Sequence, residues 1–172
     1  MEIRMTRWGV GPRITLVSAV YAILAAAATF AWPDVCLMRF PPAAVWYTLG
    51  GVLLATGIPV LGVAFTTVMK AYNRGQLVTT GIFGLVRNPV YAAWILFLGP
   101  GFMLLTRSWP LLLTPVAAYL AFKAFIHRED DYLLRNFGVE YAAYRARVNE
   151  LIPLPRLQRK ARRATAAGPG HA

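Results

Sequence analysis

PVYAAWILFLGPGFMLLTRSWPLLLTPVAAYLAFKAFI, residues 89–126, is the stretch that decides the fold. Its two apolar runs, 90–106 and 109–126, are separated only around Arg107-Ser108-Trp109-Pro110, a break too short for anything but a tight reversal. At about 1.5 Å per residue each run approaches the roughly 30 Å of a hydrocarbon layer, so the pair predicts a transmembrane helical hairpin. The one charge inside it is Lys123, near the end of the second run, where a long apolar stem lets the ammonium reach the interface.

Upstream there are two more such runs. Residues 14–32 follow Arg4, Arg7 and Arg13 and end in Trp32-Pro33-Asp34 instead of a small-residue cleavage site, which predicts a retained span and not a signal peptide. After a loop over 33–42, closed by Pro41-Pro42, a second span is expected over 43–69, long enough to tilt and kinked at Pro59. Composition agrees with four spans: of 172 residues, 58% are hydrophobic and only 15% charged, and the mean hydropathy is +0.50. The fold class is therefore all-α and integral to the membrane, with one domain over 1–154.

Charge sets the orientation. With the amino terminus inside, the outer loops hold only Arg39 and Arg107 of the 18 Lys and Arg residues, so the positive-inside bias places both termini in the cytoplasm. The net charge of +11 reads as orientation and contact with anionic lipid; no nucleic-acid module accompanies it, and no nucleic-acid partner is expected. Cys36 stands alone, which excludes an intramolecular disulfide. The abundance of Ala, Arg, Gly and Pro fits a GC-rich bacterial genome, hence a bacterial inner membrane.

Beyond the fourth span, residues 127–149 are charged and carry Leu134, Phe137, Tyr141, Tyr144 and Val148 at steps of three and four, an amphipathic cytoplasmic helix. Gly138 is expected to divide it in two, the first part continuing out of the membrane. The tail, 155–172, is basic and then low in complexity, and is expected to be mobile and to touch anionic lipid.

The polar segment before the hairpin holds the chemistry. In Gly81-Ile82-Phe83-Gly84-Leu85-Val86-Arg87-Asn88-Pro89-Val90-Tyr91, glycines permit close backbone approach and Asn88-Pro89 marks a turn or helix start. This segment, Glu129-Asp130 with Leu133, Phe137-Gly138, Tyr141, Tyr144 and Ile152-Pro153 follow one another in an order that resembles the integral membrane methyltransferases, which include isoprenylcysteine carboxyl methyltransferases and phospholipid N-methyltransferases. The resemblance covers about 77–153. This chain departs from it at Asn88, where the family often has His, at Phe83, often Tyr, and at Asp130, usually a second Glu. Asparagine still donates and accepts hydrogen bonds but does not transfer protons.

The resemblance implies S-adenosylmethionine as cofactor, bound at the cytoplasmic face by Gly81, Leu85, Val86, Arg87, Asn88, Pro89, Tyr91, Glu129 and Asp130. Arg87 suits the cofactor carboxylate as a bidentate partner, and Glu129 and Asp130 suit its amine or sulfonium. Glu129, Tyr91 and Asp130 are the candidate catalytic residues, and Tyr141 and Tyr144 the candidate contacts to the acceptor. The implied acceptor is lipid-like, foremost the amine of phosphatidylethanolamine, with an isoprenylcysteine-type carboxylate as the alternative. No metal is expected, since His127 beside three acids on one helix lacks ligand spacing for zinc. Plainer readings stand beside these: Arg87 as a lipid-phosphate anchor, Glu129 and Asp130 as partners of Lys123, His127 and Arg128 on adjacent turns, the tyrosines as packing, and the whole chain as a non-enzymatic four-helix membrane scaffold.

Overall fold

The structure is a computed structural model and describes residues 9–153. The tail over 155–172, with its expected lipid contacts, lies outside the described residues, as do Arg4 and Arg7. Helices follow in the order α1 (Gly11–Ala31), α2 (Pro33–Cys36), α3 (Ala43–Arg74), α4 (Ile82–Leu85), α5 (Pro89–Ala92), a π-helical turn (Ala93–Leu98), α6 (Gly99–Thr106), α7 (Trp109–Leu112) and α8 (Thr114–Arg147). Four stretches are long and apolar enough to cross a membrane: Gly11–Ala31, Ala43–Arg74, Pro89–Thr106 and Trp109–Arg147. The protein is an all-α integral membrane protein.

Its spans pack through small residues, because lipid gives apolar side chains no reason to leave it and helices gain most by close backbone approach. Gly50, Gly57, Ala64 and Ala71 recur at every seventh position of α3 and are its buried residues. A Cβ at Gly57 would lie 2.4 Å from Leu98 Cδ1 and 2.6 Å from Phe97 Cβ, and one at Gly50 would lie 2.8 Å from the Gly101 carbonyl oxygen. The third span thus lies against α3 at backbone distance. Between α5 and α6 its backbone widens into the π turn, closed by the Gly99 amide donating to the Trp94 carbonyl; Pro100, next in line, has no N–H to give.

The hairpin reverses at Arg107, which takes left-handed φ of 53°, and Ser108 caps α7 by accepting from the Leu111 amide at 3.3 Å. Ser108 is fully buried, its hydroxyl 2.7 Å from Thr29 of α1. On the first loop, Met38 N donates to the Arg107 carbonyl at 2.7 Å and Trp109 Nε1 to the Val35 carbonyl at 3.1 Å. This end of the bundle is closed by polar backbone contacts and holds no acidic cluster among the described residues.

Three expectations need adjustment. The 33–42 loop contains a helical turn, α2, because Pro33 suits a first helical position and Asp34 stands in the first turn. The second span does not stop at 69: α3 runs through Lys70 to Arg74 and ends where Gly75 adopts φ of 62°. Pro59 lies inside that helix. The amphipathic stripe holds at Phe137, Tyr141, Tyr144 and Val148 and the expected break at Gly138 is present, but its first position is Leu133 and not Leu134. Gly138 takes φ 50°, ψ −123° within α8, which resets the helical register. Leu133 and Phe137, from before it, pack with Tyr141, Tyr144, Val148 and Leu77, while Leu134 is exposed.

Candidate active site

The apolar part of the fourth span ends at Ile126, and α8 carries charged residues from His127 to its break at Gly138. Residues 109–126 already cover about 27 Å of a roughly 30 Å layer, so the charged part stands at and beyond its edge. There it meets the start of α1, the 77–88 segment and the residues after its own end. Pro89 begins the third span and keeps Asn88 non-helical, at φ −123°, ψ 62°. This lays 86–88 alongside the chain after α8: Val86 bridges Asn149 in parallel, Arg87 N donates to the Asn149 carbonyl at 2.7 Å, and Asn88 N to the Glu150 carbonyl at 3.0 Å.

Those backbone bonds place the Arg87 side chain in the interior, 2% exposed, among two carboxylates. Nη1 donates to Asp130 Oδ1 at 3.2 Å and Oδ2 at 3.4 Å and to the Tyr141 hydroxyl oxygen at 3.3 Å; Nη2 donates to Glu150 Oε1 at 3.3 Å. Tyr141 in turn donates to Asp130, and Arg145 Nε stands 3.6 Å from Asp130 Oδ2. Lys123 Nζ meets the other Glu150 oxygen at 2.5 Å. Burial beside Asp130 pushes the Tyr141 hydroxyl well above the usual phenol range, so it remains a donor. The fork of Arg87, expected to grip a cofactor carboxylate, is thus taken up by protein carboxylates. Its Nε, like Asn88 Nδ2, is buried without a partner among the described residues.

Glu129 has different company. Its Oε2 accepts from the Tyr91 hydroxyl at 3.0 Å and from the Val10 amide at 3.4 Å, and no cation pairs with it among the described residues. Burial holds its carboxyl above the usual glutamate range, while these two hydrogen bonds pull the other way. Tyr91 packs its ring on Phe122, centroids 5.4 Å apart, within the cluster of Val10, Ile14, Val86, Ile95, Phe122 and Ile126. Tyr144 donates to the Phe83 carbonyl at 2.6 Å, tying α8 to α4, and burial raises its hydroxyl to about 12.

The structure therefore brings together Val86, Arg87, Asn88, Pro89, Tyr91, Glu129, Asp130, Tyr141 and Tyr144. Leu85 and Gly81 are exposed; Gly81 takes φ of 59° at the start of α4, and a Cβ there would meet nothing within 4 Å. Glu129 and Asp130 do not pair with Lys123, His127 or Arg128. Sequence reasoning missed Glu150, Arg145 and the Val10 amide; a lone acid between arginine-rich segments was the only signal for Glu150. No group of three or more His, Cys, Asp or Glu residues stands together among the described residues.

The family model for phospholipid methyltransferase matches residues 39–140, which includes α3, the Arg87 segment and most of α8. The chain belongs to the phospholipid methyltransferase family. Among curated proteins it is 27% identical over 112 residues to a protein-S-isoprenylcysteine O-methyltransferase of Dictyostelium discoideum, covering 64% of this chain and 47% of that protein. It is 28% identical over 107 residues to protein-S-isoprenylcysteine O-methyltransferase B of Arabidopsis thaliana, covering 61% and 54%. The chain spans about half the length of these relatives. No solved structure matches it.

Proposed function

We propose that the protein transfers a methyl group from S-adenosylmethionine to a lipid-borne acceptor at the polar end of its bundle, with the phosphatidylethanolamine amine as the first acceptor. The observation that carries this reading is Glu129: a buried carboxylate held, among the described residues, only by neutral donors, one residue from another whose charge is balanced by arginines. A buried anion without a counter-ion is costly unless a cation comes to it. The cofactor fits that chemistry, since it brings two cationic groups and, when bound, supplies the methyl group.

Its carboxylate has matching donors in Arg87 Nε and Asn88 Nδ2, which have no partner among the described residues. Asp130, Tyr141 and Glu150 hold the rest of the Arg87 guanidinium still, so it positions rather than swings. An amine acceptor, with an ordinary pKa near 10, loses a proton before it can be methylated. Glu129, together with the Tyr91 hydroxyl, is the group to receive it. The exposed positions Gly81 and Leu85 edge the adenosine, and the acceptor enters sideways from the lipid. The charge bias of the loops supports a cytoplasmic location for this end.

A second reading, methylation of an isoprenylcysteine carboxylate, is favoured by the names of the two relatives, and such a carboxylate needs no base. The test is transfer of labelled methyl from S-adenosylmethionine by the purified protein to total lipid extract and, in parallel, to a farnesylated cysteine analogue. Label in N-methylated phosphatidylethanolamine is the expected result. Label on the cysteine analogue alone would move the acceptor to the second reading, and label on neither, with no cofactor binding, would overturn both.

A further inference from the structure

Residues 9–11 precede the stretch matched by the family model, yet they form one side of the Glu129 site. Gly9 takes φ of +54°, and a Cβ on it would stand 2.6 Å from Glu129 Oε2 and 3.1 Å from the Tyr91 hydroxyl oxygen. Only glycine satisfies both the dihedral and the approach. Gly11 is less tight: its Cβ would meet Tyr91 at 3.9 Å, ordinary contact.

The turn is pinned from its C-terminal side. Val10 is 4% exposed and packs with Ile14, Val86, Phe122 and Ile126, while the Arg13 guanidinium lies 6.0 Å over the Phe125 ring. Pro12, in the first turn of α1, fixes where the helix begins. A turn so anchored presents the Val10 amide to Glu129 at a fixed place. Among the described residues, both hydrogen bonds to Glu129, from Val10 N and from Tyr91, fall on the same oxygen, Oε2, and Oε1 accepts none.

We propose that the Gly9–Val10 turn is a positioning element of the cofactor site: with Tyr91 it holds Oε2 of Glu129, so that Oε1 is the oxygen presented to the cationic part of S-adenosylmethionine. The inference rests on the cofactor reading above and adds the first span to the site. Val10 and Gly9 act through Glu129 and touch no reacting atom.

The test is a double-mutant cycle read by calorimetric binding of S-adenosylmethionine to the purified full chain: wild type, Gly9→Ala, Glu129→Asp and both together. Gly9→Ala should weaken binding about tenfold in the wild-type background and less than about threefold with Glu129→Asp, whose shorter arm withdraws from the added methyl group. Equal penalties in the two backgrounds would overturn the proposal, since the turn would then serve folding alone. A wild-type protein that does not bind the cofactor would instead overturn the reading beneath it. Should Gly9→Ala fail to fold, amide hydrogen exchange of the wild-type protein decides. The cofactor should slow exchange in the peptide that contains Val10, and an unchanged rate there, in a protein that binds, would overturn the proposal.

Discussion

Glu129 and Asp130 are neighbours on one helix, yet they face different surroundings. Consecutive helical residues diverge by about 100° around the axis, enough to send two carboxylates to different sides of the same end of the bundle. Asp130 meets Arg87, Arg145 and the Tyr141 hydroxyl. Glu129 meets a tyrosine hydroxyl and a backbone amide. The first set closes on itself and joins α8 to the Arg87 segment and, through Glu150, to the chain beyond α8. The second leaves a negative charge for something else to answer. Structure and chemistry are thus divided between adjacent side chains, and substitutions can be aimed at either.

The largest effect should come from Arg87→Ala. It leaves Asp130 and Glu150 without their shared partner, and stranding a buried charge costs about 3–5 kcal/mol. Thermal unfolding in detergent should fall by about 10 °C. A variant that melts like the wild type would erase the contrast, since Asp130 and Glu150 would then not depend on Arg87 for their place.

Next is Glu129→Gln, which keeps the hydrogen-bonding shape and removes the charge. Cofactor affinity should drop about tenfold or more, the scale of one charge-assisted contact, with the melting temperature little changed. The same carboxylate gives a pH signature of smaller range. Burial raises its pKa, so protonation begins at higher pH than for an exposed glutamate. The ionised form is the one that attracts a cation. Cofactor affinity should therefore be level at high pH and fall as pH drops through that raised value, above the ordinary 4.3. In Glu129→Gln that acid limb should be absent, and its persistence would assign the titration elsewhere.

How much of this was readable in advance follows from what each feature depends on. The four spans and the Arg107 reversal are local matters of apolar length, and the sequence carries them openly. The packing of α3 was also on view, in Gly50, Gly57, Ala64 and Ala71 at intervals of seven, though composition alone did not call attention to it. Arg87, Tyr91, Glu129, Asp130 and Tyr141 were found by motif, but which carboxylate pairs with Arg87 depends on helix rotation about the bundle. Glu150 was out of reach: it lies 63 residues from Arg87 and beyond the end of α8. Leu134 was preferred to Leu133 because Gly138 shifts the phase of the stripe. The Val10 amide has no side-chain signature at all, since every residue but proline offers the same donor.

Tyr144 yields the smallest expected effect and tests the division from its structural side. Its hydroxyl donates to the Phe83 carbonyl at 2.6 Å, and the residue is 3% exposed. Tyr144→Phe keeps the ring and removes one hydrogen bond, worth about 1 kcal/mol. The melting temperature should fall by about 2–4 °C, and cofactor affinity should stay within about twofold. Activity toward a lipid acceptor should follow the folded fraction alone. The sequence suggested that Tyr144 touches the acceptor, and that role would show differently: a raised KM for the lipid at unchanged cofactor affinity. In that case the wall formed by α4 and α8 would belong to the site, and the boundary between strut and active surface would run through Tyr144 instead of between residues 129 and 130.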